Sequence, residues 1–290
     1  MHWKTCFTTV VALTSMVVPV LPGGAVASPA SSAQHRVGPV SPVALELRID
    51  QLRSQGLPEA EVRTAVEKEF GVDWVAGSAP ASEGIEPAAA TGEDVVLGKP
   101  DLFWETAGQH FMVIAKFHWK RTCGGGHNLP CWTEDNRRHG GPDGMGLSIN
   151  APIARIEAAL ELFTNCSAAT LRHQVLMQPA TENEHGVGFQ GQDSETLSAI
   201  KSLCASADAE YTWDNGWLWE TFQFQRPDCS GTPLVHVVTK FTHTWGQTSV
   251  TGIGIGADYV NFSWSSADAR FEVNGASPLL MNCSDIRGHL

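Results

Sequence analysis

Apolar positions recur along this chain with two different periods, and the change from one to the other falls near residue 94. Ahead of it, Leu45, Ile49 and Leu52, and then Val62, Ala65, Val66 and Phe70, recur at three- and four-residue steps, as on one face of a helix. Ser41 followed by Pro42 supplies an N-cap and a proline at the first helical position, and Gly56 ends that helix. Pro58 restarts a helix and Gly71 closes it. The pattern predicts a small α-helical hairpin over residues 41–75, with Val72 and Trp74 as an apolar plug at its end. Residues 76–93 are mostly Ala, Ser, Gly, Pro and Glu, the composition of a linker.

Beyond that linker the period becomes two. Phe111, Val113, Ala115, Phe117 and Trp119 alternate with His110, Met112, Ile114, Lys116 and His118, as in a strand with one richly apolar face. The Ala107–Gly108–Gln109 turn predicts a hairpin with residues 101–106. Asn215–Gly216 stands between Tyr211–Trp213 and Trp217–Phe224, a strong short-range hairpin signal. Val235, Val237, Phe241, His243 and Trp245 share one strand face, Val250–Ile255 returns after Gly246, and Val260, Phe262 and Trp264 form a further face. Asn274–Gly275 marks another turn. Ile153, Ile156, Leu160 and Phe163 break the series with helical steps and predict a short helix. Short strands joined by tight turns imply antiparallel sheet, so the fold class is mainly β. An antiparallel β-sandwich over residues 94–290, jelly-roll-like or partly closed as variants, follows the helical hairpin. With a linker at 76–93 and the strand pattern beyond it, residues 94–290 are expected to fold without the helices.

The N-terminus adds a compartment. Met1–Lys4 is cationic, Phe7–Leu21 is an apolar run, and Ala25–Val26–Ala27 is a small-residue cleavage pattern, the anatomy of a signal peptide over residues 1–27. The run is short for a bilayer span, so a secreted, extracellular protein without a transmembrane segment in its mature chain is expected, with a flexible lead-in at 28–40. Cys6 leaves with the signal. The remaining cysteines, Cys123, Cys131, Cys166, Cys204, Cys229 and Cys283, are even in number and read as disulfides. Cys123 with Cys131 is the local pair, and Cys166 with Cys204 and Cys229 with Cys283 complete it without crossing.

Charge narrows the function classes. Lys and Arg number 19 against 31 Asp and Glu, a formal net charge of −12, and no basic cluster exists to track phosphates, so nucleic acid is not an expected partner. The loop from Cys123 to Asp143 carries His127, Glu134, Asp135, Arg137, Arg138 and His139 among glycines. A zinc site from Cys123, His127, Cys131 and His139 lacks a standard spacing, and calcium at Asp135, Asn136 and Asp143 lacks the EF-hand pattern, so neither metal nor other cofactor is expected. Glu182, Glu184 and His185, with His139, are the candidates for acid–base or glycoside hydrolysis, against the alternative of a solvated acidic turn. No G-x-S-x-G elbow, H-E-x-x-H or P-loop occurs. Gly144–Met145–Gly146–Leu147 is echoed by Gly186–Val187–Gly188–Phe189.

Ten tryptophans against two tyrosines is the unusual feature of the composition. Trp217 and Trp219 share a strand face whose continuation, Thr221, Gln223 and Gln225, is polar, while Leu218, Phe222 and Phe224 form the other face. The expectation is an outward indole platform, with Gln223 beside it, for sugar rings or a partner surface. The reading is thus a non-catalytic extracellular β-sandwich that binds a polysaccharide, a cell-wall component or a cell-surface protein. The alternative is a hydrolase acting on extracellular polysaccharide or cell wall.

Overall fold

The computed structural model describes residues 40–76, 95–119, 141–167, 170–192, 215–225, 234–244, 247–266, 269–275 and 279–282. Residues 1–39, most of the expected linker, residues 120–140 and the cysteines Cys123, Cys131, Cys204, Cys229 and Cys283 lie outside them, as does the side chain of Cys166. The expected disulfides and His139 therefore fall on residues not described.

The helical hairpin forms as the pattern predicts. Helix α1 (Pro42–Ser54) is capped by Ser41, whose Oγ accepts the Ala44 N–H at 3.3 Å, and α2 (Glu59–Phe70) ends on Gly71 at φ 69°. That left-handed conformation costs a residue with a Cβ, which is why glycine closes the helix. The chain then enters a sheet directly: Val72 and Trp74 belong to strand β1 (Val72–Ala76).

The rest of the described chain is mainly antiparallel β. The first sheet runs in the order β1, β3 (Asp101–Glu105), β4 (His110–Trp119), β10 (Asn215–Phe224), β6 (Ile153–Ser167) and β7 (Thr170–Met177), with β2 (Val95–Leu97) pairing the end of β4. In the second, β14 (Arg270–Asn274), β11 (Leu234–Thr244), β5 (Pro142–Ile149), β9 (Gly186–Gln192) and β8 (Thr181–Asn183) follow one another, and β15 (Leu279–Asn282) lies on the far half of β11. Neither sheet closes into a barrel. Phe111, Val113, Ala115 and Phe117 of β4 meet Met145, Leu147, Val187, Phe189, Val237 and Phe241 from the second sheet, as alternation requires of two apolar faces. The β3–β4 hairpin turns at residues 106–109, with Gln109 at φ 50°.

The other face of the first sheet is covered by the helices. Leu45, Ile49, Leu52, Val62 and Val66 pack on Trp74, Phe103, Met112, Ile114 and Trp219 in a second core. Strand β4 is buried on both faces, so the molecule is layered as helices, sheet, sheet. The helices supply the cover for that face, which the expectation of a self-sufficient 94–290 segment left out.

A fourth layer lies on the far side of the second sheet. Strands β12 (Val250–Gly256) and β13 (Tyr259–Trp264) form a hairpin whose Ile255, Val260 and Phe262 face β5 and β9. The two glycine tetrapeptides explain its seat. They pair with each other, Gly146 opposite Gly188 and Met145 opposite Phe189. A Cβ on Gly144, Gly146 or Gly188 would lie 2.6 Å from Phe262, Val260 or Ile253 respectively, so glycine lets the hairpin approach the sheet.

Two local expectations are corrected. Residues 153–163 are not a helix but most of β6, where Ile153, Ala158, Leu160 and Leu162 face the inter-sheet core. Its register with β10 shifts between Thr221 and Phe222, so the apolar positions fall out of strict alternation and imitate helical steps. Asn215–Gly216 is not a hairpin turn but the start of β10, paired with β4 on one side and β6 on the other.

Candidate functional sites

The tryptophan strip is covered rather than outward. Trp217 and Trp219 do share the face opposite Leu218 and Phe222, but they are 4% and 6% exposed. Val43 of α1 packs on Trp217, and Lys116 Nζ lies 5.3 Å from the centre of its ring. Trp219 belongs to the core beneath the helices and its indole N–H donates to Glu161 Oε1 at 3.3 Å. Further along the same face the cover stops: Gln223 is exposed and donates to the Gln109 carbonyl at 3.0 Å. The polar continuation read from the sequence marks where the helices end, and the indoles lie on the covered side of that limit.

Glu182 lies in the middle of β8, and Glu184 and His185 form the β8–β9 turn that follows; both carboxylate side chains are about 60% exposed. Their backbone is tied into the scaffold. The Glu184 carbonyl accepts from Ile153 N at 2.8 Å and the His185 carbonyl from Ile149 N at 2.6 Å. His185 Nδ1 lies 3.1 Å from the Ile149 carbonyl, and its Nε2 lies 3.8 Å from Glu184. Glu182 turns to Arg155 at 3.3 Å.

That arginine is the centre of a network the sequence reading missed. Arg155 of β6 donates through Nε to Glu220 Oε1 of β10 at 2.6 Å, and through Nη2 to the carbonyls of Asn183 and Gly186 at 2.7 and 2.6 Å. It therefore joins the first sheet to the second. Glu220 is fully buried and its Oε2 has no hydrogen-bond partner among the described residues, and burial, offset in part by Arg155, pushes its carboxyl up to about 7. The available signal was its parity: Glu220 stands between Leu218 and Phe222 on the core-facing side of an apolar strand.

Two further buried polar pairs brace the fold, one between a helix and a sheet and one within the second sheet. Lys116 Nζ contacts Glu46 of α1 and reaches Asp50 at 3.1 Å, fixing the helix to β4. Burial raises the Glu46 carboxyl against the opposing pull of Lys116. Burial alone would lower the Lys116 ammonium, but Glu46 and Asp50 leave it raised. In the second sheet, His243 Nδ1 lies 2.7 Å from Asp143 Oδ2, and Thr244 N donates to Asp143 Oδ1 at 2.8 Å, with the histidine and the aspartate both fully buried. Both oxygens of Asp143 are thus engaged inside the protein, which removes it from the calcium arrangement considered with Asp135 and Asn136. Among the described residues no group of three or more His, Cys, Asp or Glu side chains is placed to hold a metal ion.

No protein-family model and no curated protein matches this sequence. Among solved structures the chain is weakly similar to the membrane-inserted form of the NetB toxin of Clostridium perfringens. The TM-score is 0.26 and the identity 4%, over 66% of this chain and 97% of that one. At that score the likeness bears on neither fold nor function. Among the described residues no helix is long and apolar enough to cross a membrane.

Proposed function

We propose that this chain is a secreted, non-catalytic β-sandwich that binds an extracellular polysaccharide, a cell-wall component or a protein partner. The observation that carries this reading is the use made of the acids. Glu182 and Glu184 are exposed on the β8–β9 hairpin, whose backbone braces the sandwich, while Glu220 is held inside the sandwich by Arg155 and Glu46 is buried between α1 and β4 by Lys116. Hydrolysis of a glycoside needs two carboxyl groups facing each other across a space that admits the sugar. Among the described residues, carboxylates on an exposed hairpin and carboxylates buried between layers do not make that space. The cationic start, apolar run and small-residue site at residues 1–27 support export, and three disulfides among the six later cysteines belong to the same proposal. The test is co-sedimentation of the mature protein with purified cell walls and insoluble polysaccharides. Retention supports the reading; a protein that stays in the supernatant with every polymer, and that captures no partner from an extracellular fraction, contradicts it.

A further inference from the structure

The β12–β13 hairpin has one seated face and one free face. Its seated side is fixed by Gln190 Nε2 donating to the Val250 carbonyl at 2.7 Å, by Asn183 Nδ2 to the Ile255 carbonyl at 2.9 Å and by Ser148 Oγ to the Gly256 carbonyl. On the free side the cross-strand pairs are Gly252 with Ser263, Gly254 with Asn261 and Gly256 with Tyr259. Tyr259, Asn261, Ser263 and Gly254 are exposed, and Tyr259, at 52%, is the most exposed of the three aromatic residues of this strand.

The tyrosine ring lies over its glycine partner. A Cβ on Gly256 would lie 2.3 Å from Tyr259 Cε1 and 2.4 Å from Cζ, so only glycine lets the ring cross the β12 backbone here, and about half of the side chain stays in solvent. The same argument fails at the next two glycines. A Cβ on Gly252 or Gly254 would meet nothing nearer than 3.8 or 4.0 Å, and neither residue has a positive φ. Neither packing nor backbone conformation calls for glycine there, although glycine weakens a strand interior. What those positions provide is a floor without side chains beside a polar row. Along β13 that row places an aromatic face, an amide and a hydroxyl about 7 Å apart from one to the next.

Among the described residues, neither β12 nor β13 carries a charged side chain, in a chain of net charge −12. At the ends of the hairpin, Asp258 pairs with His236 at 3.6 Å and Arg270 lies 3.6 Å above the Trp264 ring. A protein partner would ask for a broader apolar centre than one ring supplies. A neutral, hydroxyl-rich chain asks for a flat aromatic surface with amide and hydroxyl partners beside it.

We propose that the outer face of the β12–β13 hairpin binds a neutral polysaccharide, with the apolar face of one sugar on Tyr259 and neighbouring hydroxyls on Asn261 and Ser263. The glycine floor at 252 and 254 lets the chain lie against the strand. This inference rests on the reading of the protein as a polymer binder and assigns that binding to one surface.

The test uses the mature protein pelleted with cellulose, chitin or insoluble β-1,3-glucan. Tyr259→Ala, Asn261→Ala and Gly254→Val are compared with wild type, and Leu176→Ala, an exposed position on the other sheet, serves as control. Because the ring covers Gly256, Tyr259→Ala could unsettle the hairpin; Gly254→Val adds its side chain to open space and keeps the test valid. The expected result is retention of wild type and Leu176→Ala on at least one polymer, with at least a ten-fold weaker association for Tyr259→Ala and Gly254→Val at an unchanged melting temperature. Retention of wild type and of both variants to the same extent overturns this assignment while leaving polymer binding intact. Failure of wild type to pellet with any neutral polymer overturns it as well, and retention on cell walls alone then separates that outcome from failure of the broader reading.

Discussion

Gly216 of β10 lies directly against the ring of Phe117 on β4: a Cβ added to it would sit 2.1 Å from Phe117 Cε1. The Asn-Gly pair is here for a close approach between a strand and a core phenylalanine, with β10 paired on both sides. Gly216→Ala is therefore expected to destabilise the fold by about 1 to 3 kcal/mol, the usual cost of overpacking a filled core. Urea unfolding measures it; a variant as stable as wild type would return the pair to a turn.

The two covered indoles carry stability. Truncation of either Trp217 or Trp219 to alanine is expected to cost about 3 to 5 kcal/mol, because each leaves a cavity beneath the helices. Trp219→Ala also removes the donor to Glu161, whose carboxyl burial already raises. Equilibrium denaturation that shows wild-type stability for both variants would place the indoles in solvent after all.

The helices cover a sheet face that carries Phe103, Met112, Ile114 and Trp219. A chain beginning at Thr91 lacks that cover and also lacks β1, which pairs with β3. It is expected to aggregate or to lose a cooperative thermal transition. A sharp transition in the shortened protein, followed by circular dichroism, would show that the inter-sheet core suffices alone.

Glu220 gives the fold a pH dependence of defined sign. Its carboxyl is raised to about 7, so the stability tied to its neutral form is complete below the unfolded value near 4.5 and is lost as pH rises through about 7. At about 1.4 kcal/mol per pH unit the change approaches about 3 kcal/mol. Wild type is expected to be more stable at pH 5 than at pH 8 by this route, and Glu220→Gln to flatten the profile over that window. Parallel profiles for the two proteins would remove Glu220 as the cause.

Much of the architecture was legible from periodicity, because a half-buried strand and an amphipathic helix must alternate at different steps. Phe111, Val113, Ala115 and Phe117 announced the inter-sheet core, and Leu45, Ile49 and Leu52 the helix stripe. What escaped was pairing at a distance. The register shift opposite Arg155 and Glu157 disguised β6 as a helix. The strip from Trp217 to Gln225 read as one outward face because the sequence does not say where along a strand a covering helix stops. Arg155 and Glu220, 65 residues apart, could not be joined before β6 and β10 were known to be neighbours. The glycine tetrapeptides were visible as an echo, but their meaning lies in the hairpin they admit.

The most direct test of the central claim, a binding protein without catalysis, follows two quantities in one tube. The mature protein is incubated with purified cell walls or an insoluble polysaccharide, and both the protein lost from the supernatant and the soluble sugar released are measured over time. The account predicts saturable loss of protein from solution with no sugar released above the protein-free control. Soluble sugar that grows with time and with protein concentration would contradict it.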